Sequence, residues 1–567
     1  MELIGLLIGD GLSFLSIGYL IFLSAAALVR YLCPRKERVS VLLLISWLFY
    51  CTWNPTCLLF VIASTVSTWI AGMYVGYRDT GNRNRKIALI LCLVLNLGLL
   101  FWCKYWSMFF PGFEDRLLPV GISFYTLQAL GYVIDCYRYG MESQAAAAGA
   151  AAGAAPAGSS HACESEDCSA AGPSQSSGPA GTSAADGSPQ GSRHSRGYAP
   201  ETRFVNYALF VSFFPGILSG PIERGRNLFP QFDDPCDFSY DNLRNGLTIM
   251  LWGYFLKMVI ADRIAIVVDT VYANPEQWGS AIVLLAVLLY SLQIYCDFAG
   301  YSAIAVGSAR VLGFRLMNNF EAPYLSGSIG EFWRRWHISL SSWFRDYLYI
   351  PLGGSRKGKG RKALNLLIVF AVSGLWHGAG ITFVVWGLLH GVYQVLGLAL
   401  QGACDGAVRL LHINRKSASH RFLQTAWTFL LVSFAWIFFR ADSLPQALRI
   451  IRCLPGIRFG TAAYVSGSGV FFGVVQSGIG FQPWKLFNGT LLSLGLDTMN
   501  WVLLAVSLAF LFVRDLCLYR GISLRVQIQR QGRWLRWTLY IAAILLILVC
   551  GIWGPDYDAA TFIYSQF

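Results

Sequence analysis

Trp376-His377-Gly378 places an imidazole at the end of "ALNLLIVFAVSGLW" (363–376), a run without a single charge. Counted from Arg361 and Lys362, that run rises about 21 Å at about 1.5 Å per residue. This is more than halfway through a hydrocarbon core of about 30 Å. An ionisable side chain at such depth is costly unless it faces a cavity or a partner, and by default it marks a functional site. With an ordinary pKa of about 6.5, an imidazole can accept or pass on a proton near neutral pH. It can take the proton of a hydroxyl, and the oxygen so activated can attack an acyl thioester without a metal. A packing role competes with this reading. Gly374 and Gly378 form a G-x-x-x-G spacing, the small-residue face of a helix pair, beside which a histidine can hydrogen-bond the neighbouring helix.

The other histidines sit in different settings. His337 lies in "IGEFWRRWHISLSSWFRDYLYIPLGGSRKGKGRK" (329–362), which has too many charges to span and too many aromatics for an ordinary loop. Tryptophan, tyrosine and arginine mixed in this way favour the membrane interface, so an interfacial or re-entrant helix is expected there. His390 follows on the next apolar run and reads as packing or polar glue. His412 and His420 fall in a basic loop and read as solvated. Rival chemistry is not spelled out: there is no G-x-S-x-G elbow, no H-E-x-x-H pair and no kinase set. The stretch "GGSRKGKG" (353–360) resembles a P-loop in spacing, but Gly360 stands where a Ser or Thr should hold magnesium. It reads as a basic loop that can attract the phosphates of an anionic donor such as coenzyme A.

The elements that must position these residues follow from composition. Of 567 residues, 55% are hydrophobic and 13% charged, against about 25% charged in soluble domains. Apolar stretches of spanning length recur near 11–29, 39–53, 55–77, 86–104, 117–137, 203–222, 244–270, 279–309, 363–380, 381–401, 422–439, 499–514 and 535–553. The fold expected is an all-α polytopic membrane protein of about 11–13 transmembrane helices plus interfacial or re-entrant helices. Glu2 and Asp10 precede the first run without a basic flank, so a cleavable signal peptide is not expected. Basic loops at 30–38, 78–86, 353–362, 409–421 and 520–536 account for the net charge of +13 and are expected on the cytoplasmic side. Because these charges sit in short loops between spans, no nucleic-acid partner is expected.

Most of the 14 cysteines lie in or beside apolar runs, and no metal site or disulfide is assigned. From 141 to 200 the chain becomes Ala, Gly, Ser and Pro with few large apolar residues, which predicts a disordered cytoplasmic insert. His161 and His194 within it cannot hold a reacting geometry. The organisation expected is N-terminal helices over 1–140, the insert over 141–200, a catalytic core over 201–440 and C-terminal helices over 441–567.

Five stretches together carry a resemblance: "LPVGISFYTLQALGYVIDCYR" (118–138), "FVSFFPGILSGPIERG" (210–225), "YCDFAGYSAIAVGSARVLGF" (295–314), "FWRRWHISLSSWFRDYLYIPLGG" (332–354) and "SGLWHGAGITFVVWGLLHG" (373–391). The chain resembles the membrane-bound O-acyltransferase (MBOAT) family over nearly its whole length outside the 141–200 tract. The likeness is greatest to the bacterial polysaccharide O-acetylation branch, to which the alginate O-acetyltransferase membrane protein belongs. The resemblance implies a ring of helices around a thin central region, with a tunnel from the cytoplasmic donor side meeting an outer funnel at the W-H-G histidine. It assigns that catalytic role to His377 and the second family histidine to His337. It further implies that an acyl group, acetyl in this branch, crosses from a cytoplasmic thioester to an acceptor outside. One departure is Ala303, where relatives commonly carry an acid after "GYS".

Around these histidines, Arg334, Arg335, Arg345 and Asp346 are read either as orienting His337 or meeting donor phosphates, or as an interfacial ion-pair lattice. Trp336 is included with them as a donor-side residue, and Trp376 as a tunnel wall or a packing aromatic. Asp297, inside "YSLQIYCDFAG" (290–300), pairs with a buried cation or makes a helix-helix hydrogen bond. The expected activity is O-acetylation of an extracytoplasmic polysaccharide. No bound cofactor is expected, the donor substrate being acetyl-CoA or another acyl thioester. Expected partners are membrane lipids, an exported or periplasmic acetyltransferase and an exopolysaccharide acceptor, in a bacterial inner membrane. A polysaccharide or lipid transporter, a scaffold subunit, and a lipid or protein O-acyltransferase of the same family stay open as alternatives.

Overall fold

Apolar surroundings leave backbone polar groups nothing to bond but one another, which favours continuous helix. The structure, a computed structural model, describes residues 12–77, 81–106, 119–153, 199–218, 220–454 and 494–552, and these residues contain helices and no strand. In chain order the helices are α1 (Ile17–Leu32), α2 (Arg38–Trp53), α3 (Pro55–Gly76), α4 (Asn82–Lys104), α5 (Ile122–Gly153), α6 (Phe204–Ser212), α7 (Phe214–Ile217), α8 (Gly225–Asp233), α9 (Tyr240–Tyr254) and α10 (Asp262–Ala273). There follow α11 (Ser280–Val311), α12 (Ile329–Arg335), α13 (Ile338–Phe344), α14 (Gly358–His377), α15 (Ile381–Leu410), α16 (Ala418–Arg440), α17 (Leu444–Cys453), α18 (Thr498–Tyr519), α19 (Leu524–Gln529) and α20 (Arg533–Cys550). Turn chemistry sets several of the boundaries. Asn54 accepts a hydrogen bond from the Thr56 amide and Pro55 opens α3, which sets the turn between α2 and α3.

Among the described residues, seven helices are long and apolar enough to cross a membrane: α3, α4, α11, α15, α16, α18 and α20. The architecture is that of an all-α polytopic membrane protein, with fewer full-length spans among the described residues than the eleven to thirteen expected of the chain. The differences have local causes. Both α1 and α2 stop at 16 residues. The span expected over 203–222 breaks at Phe213 into α6 and the four-residue α7, because Pro215 can start a helix but not continue one. The 244–270 stretch is one long helical rod, with α9 passing through a π-helical turn (Phe255–Ala261) into α10, and it carries three charged residues midway. The tract expected to be disordered from 141 stays helical to Gly153, in keeping with alanine's helix propensity. The rest of that tract, residues 154–198, lies outside the described residues.

The centre of the bundle is α11, 72% of whose most apolar stretch is buried. Its Gly300 and Gly307 pack against Gly253 and Gly246 of α9, where any Cβ would collide with backbone. The α14–α15 hairpin uses the same device. A methyl at Gly374 would overlap the Phe383 carbonyl oxygen, and one at Gly387 would overlap that of Phe370. Several residues of the basic loops are buried clamps rather than solvated charges. Arg30 lies over the rings of Tyr31 and Phe314 at 4.7 and 4.8 Å. Arg85 donates to the carbonyls of Val75 (2.6 Å) and Tyr137 (2.8 Å). Hydrogen bonds from Arg35 and then Arg38 hold the Asp237 carboxyl well below the usual carboxylate range.

Opposite α11, the π-helical turn of the α9–α10 rod carries Lys257, whose Nζ lies 2.6 Å from Asp297 and 2.8 Å from Asp262. The arrangement resolves the two readings of Asp297 in favour of a buried cation partner.

Two stability predictions follow from these contacts. G374A is expected to cost about 1–3 kcal/mol through overpacking. In a thermal melt of detergent-purified protein it should unfold below wild type, while G397A, where nothing lies within 4 Å of an added methyl, should not. K257M strands two buried carboxylates and is expected to cost about 3–5 kcal/mol. R345M, which breaks an ion pair whose arginine side chain is 64% exposed, should cost under about 1 kcal/mol.

Candidate active site

His377 is the last residue of α14, and the helix stops there because Gly378 turns to an extended backbone. Its Nδ1 lies 2.6 Å from the Ser373 carbonyl oxygen one turn back. A carbonyl can only accept, so Nδ1 carries the hydrogen and the lone pair of the neutral ring resides on Nε2. The ring is 2% exposed. Trp376, Trp386 of α15 and Phe439 of α16 surround it at centroid distances of 4.9, 4.7 and 5.5 Å. The G-x-x-x-G face also packs, since Gly374 and Gly378 both lie against Phe383. The packing reading of the motif therefore holds for both glycines.

His337 separates α12 from α13 and is wholly buried, with a left-handed φ of 43°. A non-glycine residue held there stores about 1–3 kcal/mol of strain. Asn319 pins the bend. Its carbonyl accepts from the Ile338 amide at 3.0 Å, and its side-chain amide donates to Ser302 of α11 at 3.1 Å. The segment expected to be an interfacial or re-entrant helix folds into the bundle, because its aromatics interlock with α11 and α16. Trp336 packs on Phe332, Phe320 and Trp436 at 5.4, 5.0 and 5.1 Å.

Trp376 brings the two histidines together. Its ring lies 6.1 Å from that of His337 and 4.9 Å from that of His377, and its Nε1 donates to the Ser123 carbonyl at 3.3 Å. Phe298 stands edge-on to His337 at 4.7 Å, one residue from the ion-paired Asp297. Phe124 packs near both His337 (6.3 Å) and Trp376 (5.4 Å), and it also lines a narrow crevice with Gln128, Phe213, Glu223 and Leu316.

Four expected donor-side residues stand apart from this cluster. Arg334 is exposed at the surface. Arg335 pairs with Glu331 at 3.0 Å and lies over Tyr519. Arg345 pairs with Asp346 at 2.8 Å, and Asp346 also faces Arg224 at 3.6 Å. Arg335 on one side, and Arg345 with Asp346 and Arg224 on the other, form two separate sets of ion pairs.

His390, read from the sequence as polar glue, accepts a hydrogen bond on Nδ1 from Trp333 at 3.3 Å. It also belongs to the same aromatic cluster, because Trp386 lies 4.7 Å from His377 and 5.3 Å from His390. Trp386 and His390 are four residues apart on one helix face, a signal available in the sequence. Asn319, Phe298 and Lys257 come from distant stretches, and no spacing reveals them.

Comparison with known proteins is consistent with this geometry. Residues 190–440 match the profile of MBOAT, the membrane-bound O-acyltransferase family. A probable alginate O-acetylase of Pseudomonas putida is 31% identical over 568 residues, covering 95% of this chain and 96% of that protein. A peptidoglycan O-acetyltransferase of Helicobacter pylori is 32% identical over 78% of each chain. A teichoic acid D-alanyltransferase of Bacillus subtilis is 33% identical over 32% of this chain and 49% of its own. With similarity that extends along nearly the full chain and a histidine pair enclosed at the heart of the bundle, this protein belongs to the membrane-bound O-acyltransferase family and is an acyltransferase enzyme.

Proposed function

We propose that the enzyme moves an acetyl group from a cytoplasmic thioester, acetyl-CoA or another acyl thioester, across the membrane for O-acetylation of a polysaccharide outside. The observation that carries the chemistry is the His377 Nδ1 bond to the Ser373 carbonyl, which leaves Nε2 as a fixed base. In this reading Nε2 takes the proton of the acceptor hydroxyl as its oxygen bonds to the thioester carbonyl carbon. The carbon–sulfur bond then breaks, and the thiolate leaves with the proton that the imidazolium returns. His337 stands on the other side of Trp376 as the second histidine of the site. The names of the alginate and peptidoglycan relatives support a glycan acceptor. Their bacterial sources support a bacterial inner membrane, with the basic loops inside. An exported acetyltransferase that passes the group to the exopolysaccharide is the partner that fits this direction of transfer.

In nanodiscs with radiolabelled acetyl-CoA and envelope extract, H377Q is expected to lower label transfer by about 10²–10⁴-fold, the usual contribution of a general base, with its size-exclusion profile unchanged. Equal transfer by both forms would return the transporter and scaffold readings. The same reading sets the length of the acyl chain as short. Acetyl-CoA should therefore be used far faster than palmitoyl-CoA in single-donor assays, and a preference for palmitoyl-CoA would point to a lipid or protein acyltransferase.

A further inference from the structure

The last four carbonyls of a helix have no donor within it. In α14 these belong to Gly374, Leu375, Trp376 and His377, and the structure supplies a donor for each. The Gly378 amide bonds Gly374, closing the helix. The other three are met from α4 and the residue after it. Tyr105 donates its hydroxyl to Leu375, and Lys104 Nζ lies 2.7 Å from the Trp376 oxygen and 3.2 Å from the His377 oxygen. The same ammonium reaches Ser123 Oγ at 3.4 Å and stands 5.9 Å from the centre of the Trp376 ring. A lysine at the end of an apolar helix ordinarily extends to the membrane surface. Lys104 is half-buried and turned onto the end of a neighbouring helix, where a cation also meets the negative end of the helix dipole.

We propose that Lys104, assisted by Tyr105, is a positioning residue for His377: it locks the final turn of α14, which fixes both the imidazole and its hydrogen-bond acceptor. The inference rests on the reading of His377 as the base. His377 and Ser373 belong to that one turn, so fraying of the turn removes the bond that orients Nε2. Lys104 touches backbone oxygens and the Trp376 ring, and acts on the reaction only through them. Displacement of a catalytic group by about 1 Å costs about 100-fold in rate.

The test compares wild type, K104M, K104R, Y105F and H377Q as full-length protein in nanodiscs, measuring kcat and KM for acetyl-CoA together with thermal unfolding. K104M is expected to lose about 100-fold in kcat with KM unchanged. K104R, which keeps the charge and the donors, should recover part of that loss, and Y105F should show a smaller fall in kcat alone. If K104M does not fold, Y105F decides: a lower kcat at unchanged KM upholds the inference, and wild-type kinetics overturn it. The inference also falls if K104M keeps wild-type kcat, if its loss appears in KM, or if K104R is as slow as K104M. Wild-type activity in H377Q would remove the general-base reading and this inference with it. An inactive H377Q beside a normal K104M would remove this inference alone.

Discussion

The close approach of α14 and α15 is the constraint on which the site depends. Gly374 and Gly387 let two backbones meet where any side chain would hold them apart. At that separation Trp386 reaches the His377 ring from one helix, and Phe439 closes over it from a third. Move the hairpin apart by the width of a methyl, and the aromatic enclosure opens. The glycines bring no side chain of their own. Their contribution is distance, since tightly packed interiors deform little and the histidine environment is as exact as the spacing beneath it.

Around that hairpin, several polar groups buried in the apolar bundle are tied to partners on neighbouring helices. Lys257 gathers Asp262 and Asp297 between the α9–α10 rod and α11. Arg85 spends its donors on two backbone carbonyls. Such groups contribute modestly when satisfied and cost heavily when stranded, so they fix which helix faces meet. Asp297 joins this scaffold to the site, since the next residue, Phe298, stands against His337.

Much of this was legible in the sequence because it depends on local pattern. The burial of His377 fits its place at the end of the uncharged run after Lys362, and the Asn-Pro turn before α3 follows from cap chemistry. The helix break in 203–222 was also written in Pro215 and Gly216, but mean apolarity outweighed them in the expectation of a span. The position of His337 was harder to see. Its segment is rich in arginine and tryptophan, as interfacial helices are, and only the partners supplied by α11 and α16 turn it inward. Asn319 acts on residues 17 to 20 positions away, Lys257 reaches Asp297 40 positions away and Lys104 reaches His377 273 away, and pairings of that range leave no periodic trace. Nor do the described residues bear on the expected insert beyond Gly153.

The left-handed backbone at His337 has a consequence for how this position can be interrogated. Its φ of 43° is a conformation that asparagine and glycine adopt readily and that β-branched residues resist. Replacement by alanine or valine therefore changes two things at once, the imidazole and the ease of the bend that joins α12 to α13. Asparagine removes the titratable ring while keeping the bend accessible. At this residue the choice of replacement decides whether an experiment reports on proton chemistry or on chain geometry.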